Sequence, residues 1–402
     1  MSYLNTNEES NNQERTVALV VICGLSILAI NMGVRQSLGL FLPDLALHLK
    51  LSMNELSFGF AVQNLVWGAA APIAGVAAER FGTARILALG GLIYALGLAA
   101  LATSGSAWIY QLSNGVLVGI GVGATTYPLV LSAVSRHVSE KNQSLVLGLV
   151  SAGGSLGQFV FALITEYASN RVGWQGTLWI FAVAALMLIV LSPALRSKPS
   201  RLCEGHEEKS SDLDYRFYLL AMGFFVCGFH VAFISVHLPN LVAICGLPTG
   251  VASNSLALIG LVNVAGTILA GWLGGRYYKP YLLSGIYAAR ALLLIVFLLL
   301  PKTALVFYLF SLVMGVLWLS TVPLTSGAIA QFFGATKLAS LFGMVMLSHQ
   351  IGAFFGAWLG GIFLDHSGSY DIALIVSAGL GLFAALIHLP IRKSDSAGIQ
   401  TA

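Results

Sequence analysis

One arginine and three histidines carry the strongest chemical signal in this chain, because each interrupts a long apolar run. Arg35 follows Asn31 by four residues, which puts both on one face of a helix. Its planar fork of five donors can grip a carboxylate through two parallel hydrogen bonds. His230 and His237 lie seven apart, again on one helical face, and His349 stands in a separate run, SHQIGAFFGAWLGG. Histidine is the side chain that changes charge near neutral pH, so these three are the candidates to take up a proton. Each residue also has a plainer reading: an arginine capped by carbonyls or locked to a neighbouring helix, and a neutral imidazole bonded to a neighbour.

The acids are informative by position. None of the sixteen Asp and Glu falls at the centre of an apolar run; Asp44, Glu55 and Glu166 lie near run ends and the others in polar segments. Arg35 therefore has no obvious carboxylate partner, which leaves that role open for a bound anion. Arg290, also mid-run, is expected to pair structurally. Thr126, Tyr127 and Pro128 match Ser320, Thr321 and Pro323 in two further runs, where a proline frees carbonyls and lets a helix bend. Gln63, Asn64, Gln158, Asn263 and Gln350 either orient a polar ligand or join helices at around 1 kcal/mol or less each, and Trp318 is a candidate apolar wall. The ligand-binding candidates are Arg35, Asn31, Tyr127, His230, Asn263 and His349; the proton carriers are His230, His237 and His349, with His230 expected to face Arg35.

The elements that position these residues follow from composition. At 57% hydrophobic and 9% charged, the chain is far from an ordinary soluble domain, whose charged fraction is about 25%. Runs of roughly 20 apolar residues, long enough to cross a bilayer as helices, fall near 15–42, 54–77, 83–103, 106–130, 142–166, 174–195, 216–240, 251–273, 281–300, 303–326, 337–364 and 369–392. A membrane barrel would show alternating segments of about 10 residues instead, so the expected fold is all-α with twelve spans. In a membrane helix a central arginine costs about 2.5–3.5 kcal/mol, which makes Arg35 a functional candidate.

Three of the twenty Lys and Arg (Lys50, Arg171, Lys302) lie on one side of these spans and two (Arg35, Arg290) inside them; the other fifteen lie on the side of the chain ends. By the positive-inside rule both termini are expected to be cytoplasmic, in an inner or plasma membrane. The net charge of +4 reflects this topology and suggests no nucleic acid partner. The polar start MSYLNTNEESNNQ has no basic region, so the first run reads as a retained span and not as a cleaved leader. Cys23, Cys203, Cys227 and Cys245 lack metal or disulfide spacing and read as packing residues. No cofactor, metal cluster, nucleotide-binding loop or nucleophile–base set is expected, which argues against an enzyme.

Landmarks recur 195 or 196 residues apart: Gly33 and Gly228, Pro128 and Pro323, Gly148 and Gly343, Gly157 and Gly352, and GVAAER at Gly75 against GWLGGR at Gly271. In this register Arg35 and His230 are counterparts. The expected division is a tail 1–14, a six-helix half 15–195, a polar linker 196–215, a second half 216–392 and a tail 393–402. With GVAAERFGTAR between the second and third runs, the chain resembles the major facilitator superfamily over essentially its whole length. The TTYPLVLSAVSRHVSEKNQSLVLGLVSAGGSLGQ stretch, RQSLGLFLPDL and SHQIGAFFGAWLGG resemble its monocarboxylate and oxalate/formate branch.

The resemblance implies two pseudo-symmetric halves that rock about a central site, no cofactor, and a monomer. It also implies that Glu79, Arg80 and Arg85, with Arg276 in the second copy, form a charge network that holds the halves together in one state. The sequence departs from the branch in having Asn263 and no cation in the eighth run, His349 in the eleventh, and Gln158 where the exporter motif has proline. Glycines of the fifth and eleventh runs are expected to form seams between the halves. The expected activity is secondary transport of a small organic anion, with proton coupling or anion exchange. A carrier of another solute (amino acid, siderophore or drug) and, further off, a non-transporting receptor are the alternatives.

Overall fold

The computed structural model describes residues 2–138, 140–196, 213–334 and 337–391, with side chains from residue 15 onward apart from those at 140–142, 144, 145 and 339. The expected linker and the C-terminal tail lie almost wholly outside these residues. Helices dominate and no strand occurs among the described residues. Among the described residues, eleven stretches are long and apolar enough to span a membrane. The twelfth is hidden in a 50-residue stretch, Val146–Leu195, that is broken at Gly173. There φ is 71° and ψ 175°, a conformation that costs glycine little and any other residue much. Two helices thus run into each other with no loop between them, which is why the expected end of the fifth helix, 166, falls short.

In chain order the spans are α1 (Ser2–Ser37, extended through a 3-10 turn Leu38–Phe41 to a short helix Leu42–Leu49), α2 (Met53–Phe81), α3 (Thr83–Ala102) and α4 (Ala107–Ser135). Then come α5 (140–172), α6 (174–191), α7 (Tyr215–Ile244), α8 (Thr249–Gly274) and α9 (Lys279–Leu299). The last three are α10 (Ala304–Phe333), α11 (Leu338–Ser367) and α12 (Asp371–His388). α2 opens with a capping box in which Glu55 N–H donates to Ser52 Oγ and Ser52 N–H to Glu55 Oε2.

α4 and α10 are each interrupted just before the proline that the sequence singled out. α4 breaks at Thr125–Thr126, ahead of Pro128, and α10 at 318–320, ahead of Pro323. α4 also carries a π-helical stretch, Gln111–Leu117. The freed backbone groups find partners in side chains of neighbouring helices, as a lipid environment demands.

The repeat is visible in the packing. A Cβ on Gly157 of α5 would overlap the Ala29 carbonyl of α1, and one on Gly352 of α11 would overlap the Phe225 carbonyl of α7. The same crossing is therefore built twice, α1 on α5 and α7 on α11. This corrects the expectation of seams between the halves for four of these glycines, since Gly153 and Gly157 pack inside the first half and Gly352 and Gly356 inside the second, whereas Gly361 does lie between the halves. Small residues let the partner backbone approach closely, and the close partner here lies within each half.

Contacts between the halves run along α2 with α11 and α5 with α8, and they are uneven. Away from the chain ends, Gly361 packs on Met53 and Ser57, Gly260 on Ser155 and Phe159, and Gly39 on the Ser235 carbonyl. Toward the chain ends, a Cβ on Gly75, Gly148, Gly271 or Gly343 would meet nothing within 4 Å. The halves are joined on the face remote from the termini and, among the described residues, parted on the face that carries them.

Candidate functional site

Arg35 lies near the end of α1, 5% exposed, and the sequence reading of an unpaired intramembrane cation can be tested against its surroundings. Its Nη2 donates to Asn64 Oδ1 of α2 at 2.5 Å and its Nη1 to Gln36 Oε1 at 3.1 Å. The guanidinium carbon sits 4.9 Å from the centre of the Trp67 ring, within cation–π range. Asn64 is held in turn by its own Nδ2 on the Phe60 carbonyl at 2.8 Å. Arg35 Nε has no partner. Among the described residues Arg35 forms no ion pair, and the one salt bridge joins Arg216 to Asp214. A buried cation held only by neutral groups keeps its charge uncompensated and can still bind an anion. Trp67 and Gln36 were not singled out from sequence, although Trp67, three residues after Asn64, shares its helical face.

Asn31 is buried but turned elsewhere. Its Nδ2 donates to the Val122 carbonyl at 3.1 Å and to Thr125 Oγ1, so it caps the α4 break, and Tyr94 OH donates to its carbonyl at 3.2 Å. Tyr127, at the start of the second part of α4, places its hydroxyl against Gly154 of α5. Arg290 plays the matching part in the second half. Fully buried, it donates from Nε and Nη2 to the Leu317 carbonyl (3.2 and 2.5 Å) and from Nη2 to the Trp318 carbonyl (2.5 Å), the carbonyls freed by the α10 break.

Asn263 completes that break and spans the two halves. Its Oδ1 accepts the Leu319 N–H at 3.0 Å and the Thr267 hydroxyl at 3.2 Å, while its Nδ2 donates to Ser155 Oγ of α5 at 2.8 Å. Gln158 adds a second tie, Nε2 to the Leu256 carbonyl at 3.2 Å. Gln350 lies beside Gly68 of α2 with its Oε1 unpartnered.

The histidines differ in how fully they are used. His230 Nε2 lies 2.7 Å from the Ser377 carbonyl of α12; that oxygen only accepts, so Nε2 carries the proton and Nδ1 is left bare and unpartnered. The expected pairing of His230 with Arg35 is not built: the first engages α12, the second α2, and no bond joins them among the described residues. The packing of α7 on α12, which brings the Ser377 carbonyl against the His230 ring, decides this. His237 spends both nitrogens, Nε2 on the Ala357 carbonyl at 2.6 Å and Nδ1 on Tyr370 OH at 3.0 Å. His349, 7% exposed, sits against Phe224 (ring centres 5.0 Å apart) with Nδ1 unpartnered; Cys227, one helix away, lies 3.2 Å from Thr321 Oγ1.

On the parted face, Glu79 and Arg80 are exposed, Arg85 Nη1 donates to the Phe81 carbonyl at 3.5 Å, and Arg276 stacks 3.6 Å from the Trp272 ring centre. No ion pair links them to the other half among the described residues. A cavity of about 140 Å³ opens there between α2 and α4, with Glu79, Thr83, Ser132 and Arg136 in its wall. A second, about 20 Å³, lies beside His237 and Tyr370 and has room for roughly one water.

Comparison with known proteins agrees with this architecture. A family profile described as Major Facilitator Superfamily matches residues 24–328. An uncharacterized MFS-type transporter, YcxA of Bacillus subtilis, is 24% identical over 92% of this chain and 94% of its own. Monocarboxylate transporter 13 of Bos taurus is 25% identical over 92% and 89%. Among solved structures, a bacterial homolog of the human lysosomal transporter Spinster, inward-facing and occupied, superposes with TM-score 0.76 at 14% identity, covering 92% of this chain and 96% of that one. A D-xylose–proton symporter gives 0.75 at 15% identity, covering 94% and 97%.

Proposed function

The chain belongs to the Major Facilitator Superfamily, a family of membrane transporters, and from that premise we propose that it carries a small organic anion, of monocarboxylate type, by alternating access. The observation that carries this reading is Arg35: a buried cation, held by Asn64, Gln36 and the Trp67 face, with no ion pair among the described residues to neutralise it. A carboxylate arriving from the parted face supplies the missing charge and takes up the remaining guanidinium donors. The names of several relatives, monocarboxylate transporters 11, 12 and 13, support the same class of cargo.

Proton uptake in this reading falls to His230 and His349, each with a bare ring nitrogen, rather than to His237, whose two nitrogens are already bonded. Anion exchange, which needs no titrating group, gives the same site a different driving force. We place the protein in the inner or plasma membrane with both termini on the cytoplasmic side, following its Lys and Arg distribution, and we take the monomer as the working unit.

The test is uptake by purified protein in proteoliposomes of labelled lactate, pyruvate, acetate, oxalate and neutral amino acids, with and without an inward proton gradient, beside Arg35→Ala. Gradient-stimulated uptake of a monocarboxylate that is lost in the variant supports both anion site and coupling. Movement of only neutral or zwitterionic solutes, or a variant equal to the parent, sinks the anion reading and leaves the transporter.

A further inference from the structure

The face remote from the chain ends is closed by two carboxylates, each reaching from one half to the first turns of a helix in the other. Asp365, in the last turn of α11, accepts the Met53 N–H on Oδ1 at 3.2 Å and the Asn54 N–H on Oδ2 at 2.7 Å. These are the first residues of α2, whose N–H groups have no partner inside their own helix. The positive end of the α2 dipole adds to the attraction. About two turns earlier on the same face of α11, Trp358 Nε1 donates to Asn54 Oδ1 at 2.7 Å. Glu166 does the equivalent on the other side: from α5 it accepts Ser253 Oγ at 3.0 Å and Thr249 Oγ1 at 3.4 Å at the start of α8, steadied by Asn170 Nδ2 at 3.0 Å. α5 and α8 are the repeats of α11 and α2, so the two carboxylates tie corresponding helix pairs, with position 166 about one turn from the counterpart of 365.

We propose that Asp365 and Glu166 form a paired latch that holds the halves together on this face and sets the balance between the two alternating-access states. Each joins helices that must separate for the face to open, so its bonds exist in one state and vanish in the other; that differential is what shifts a population. Asp365 is exposed and regains water when released, so opening leaves no carboxylate buried and unpaired. The latch also bears on the site: Asp365 lies within electrostatic reach of His237 and Tyr370, which brace α7 against α11 and α12. The charges at 79–85, by contrast, make no tie across the halves among the described residues. Nothing in the latch depends on what is carried, so its failure and that of the anion reading are separate results.

The test uses Val236→Cys, 2% exposed on α7 beside Gly39 of α1, in full-length protein in nanodiscs with Cys23, Cys203, Cys227 and Cys245 replaced by serine. Maleimide reaches this thiol only when the halves part on the latched face, so its labelling rate reports the open population. Asp365→Asn and Glu166→Gln are each expected to raise that rate roughly fivefold, the double variant more, and Asp365→Glu less than Asp365→Asn. A thiol at fully buried Val134, inside the first half, should stay unreactive throughout. Unchanged labelling at 236 in Asp365→Asn and Glu166→Gln overturns the latch, as does a parallel rise at 134, which signals general loosening. Should Asp365→Asn fail to fold, Glu166→Gln alone decides by the same two criteria.

Discussion

Arg35 Nη2 stands 2.5 Å from Asn64 Oδ1, joining α1 to α2 through a charged donor and a neutral acceptor. The bond fixes the direction of the guanidinium without neutralising it. An acid at position 64 would have filled the site; an amide aims the cation and leaves its charge available.

Arg35→Lys keeps the charge but loses the planar fork, so anion uptake should fall by raising KM, with a smaller change in maximal rate. Asn64→Ala should act in the same direction by about tenfold, near the low end of the roughly 1.5–3 kcal/mol that a hydrogen bond to a charged group contributes, because the arginine retains Gln36 and Trp67. Concentration dependence of uptake in proteoliposomes checks both, and an unchanged KM in Arg35→Lys would remove the fork from the account.

Asn263→Ala strips a partner from the Leu319 N–H at the α10 break and from Ser155 of the other half. An unsatisfied buried donor costs about 1–3 kcal/mol, so the melting temperature in detergent should drop by several degrees. Ser155→Ala, which leaves the break capped, should cost less. Equal losses in the two would mean that the break is not what Asn263 supports.

Arg290→Gln should destabilise the second half while leaving the Arg35 site intact, because Leu317 and Trp318 carbonyls lose their charged donor. Reduced thermal stability with an unaltered KM is the expected pattern. A raised KM with normal stability would instead bring Arg290 into contact with cargo.

Glycines of the same helix should respond oppositely. Gly157→Ala forces a methyl into the Ala29 carbonyl and should cost on the order of 1–3 kcal/mol. Gly148→Ala meets open space in this state and should be neutral or mildly stabilising. Thermal denaturation of the two variants side by side makes the comparison, and similar melting shifts would contradict the close crossing of α1 and α5.

Asp214 caps α7 outside the membrane spans, accepting the Arg216 N–H at 2.7 Å and its Nε at 2.5 Å. Slight burial pushes its carboxyl up, but the bonds from Arg216 outweigh this and hold it below the usual carboxylate range. Because the folded value is depressed, the stabilisation is present above the unfolded value near 3.9 and is lost as pH falls through the folded one. Asp214→Asn should therefore lower the melting temperature at pH 7 and converge with the parent only as pH falls below the usual carboxylate range. Any transport dependence between pH 5 and 8 has to come from elsewhere.

Sequence by itself determined the class of the molecule and its internal symmetry. Twenty-residue apolar runs leave the helix as the solution for the backbone, and a recurrence at 195 residues needs no coordinates to be seen. It also marked the α4 and α10 breaks, because proline cannot donate into a helix, and it marked Arg35, because a lone cation in an apolar run has few explanations. The Gly173 break escaped it in detail, since one glycine among many does not announce a positive φ.

Only the tertiary structure decided where each polar side chain turns. Helical periodicity puts Asn31 and Arg35 on one face, yet packing sends the first to α4 and the second to α2. It likewise turns His230 to α12, commits both nitrogens of His237, and assigns Gly157 and Gly352 to the inside of each half while leaving Gly361 between the halves. The carboxylates of the latch show the reason most directly: Asp365 and Met53 are 312 residues apart in the chain. Nothing local to either residue encodes their meeting, which arises from the way α11 lies along α2 once both halves are built.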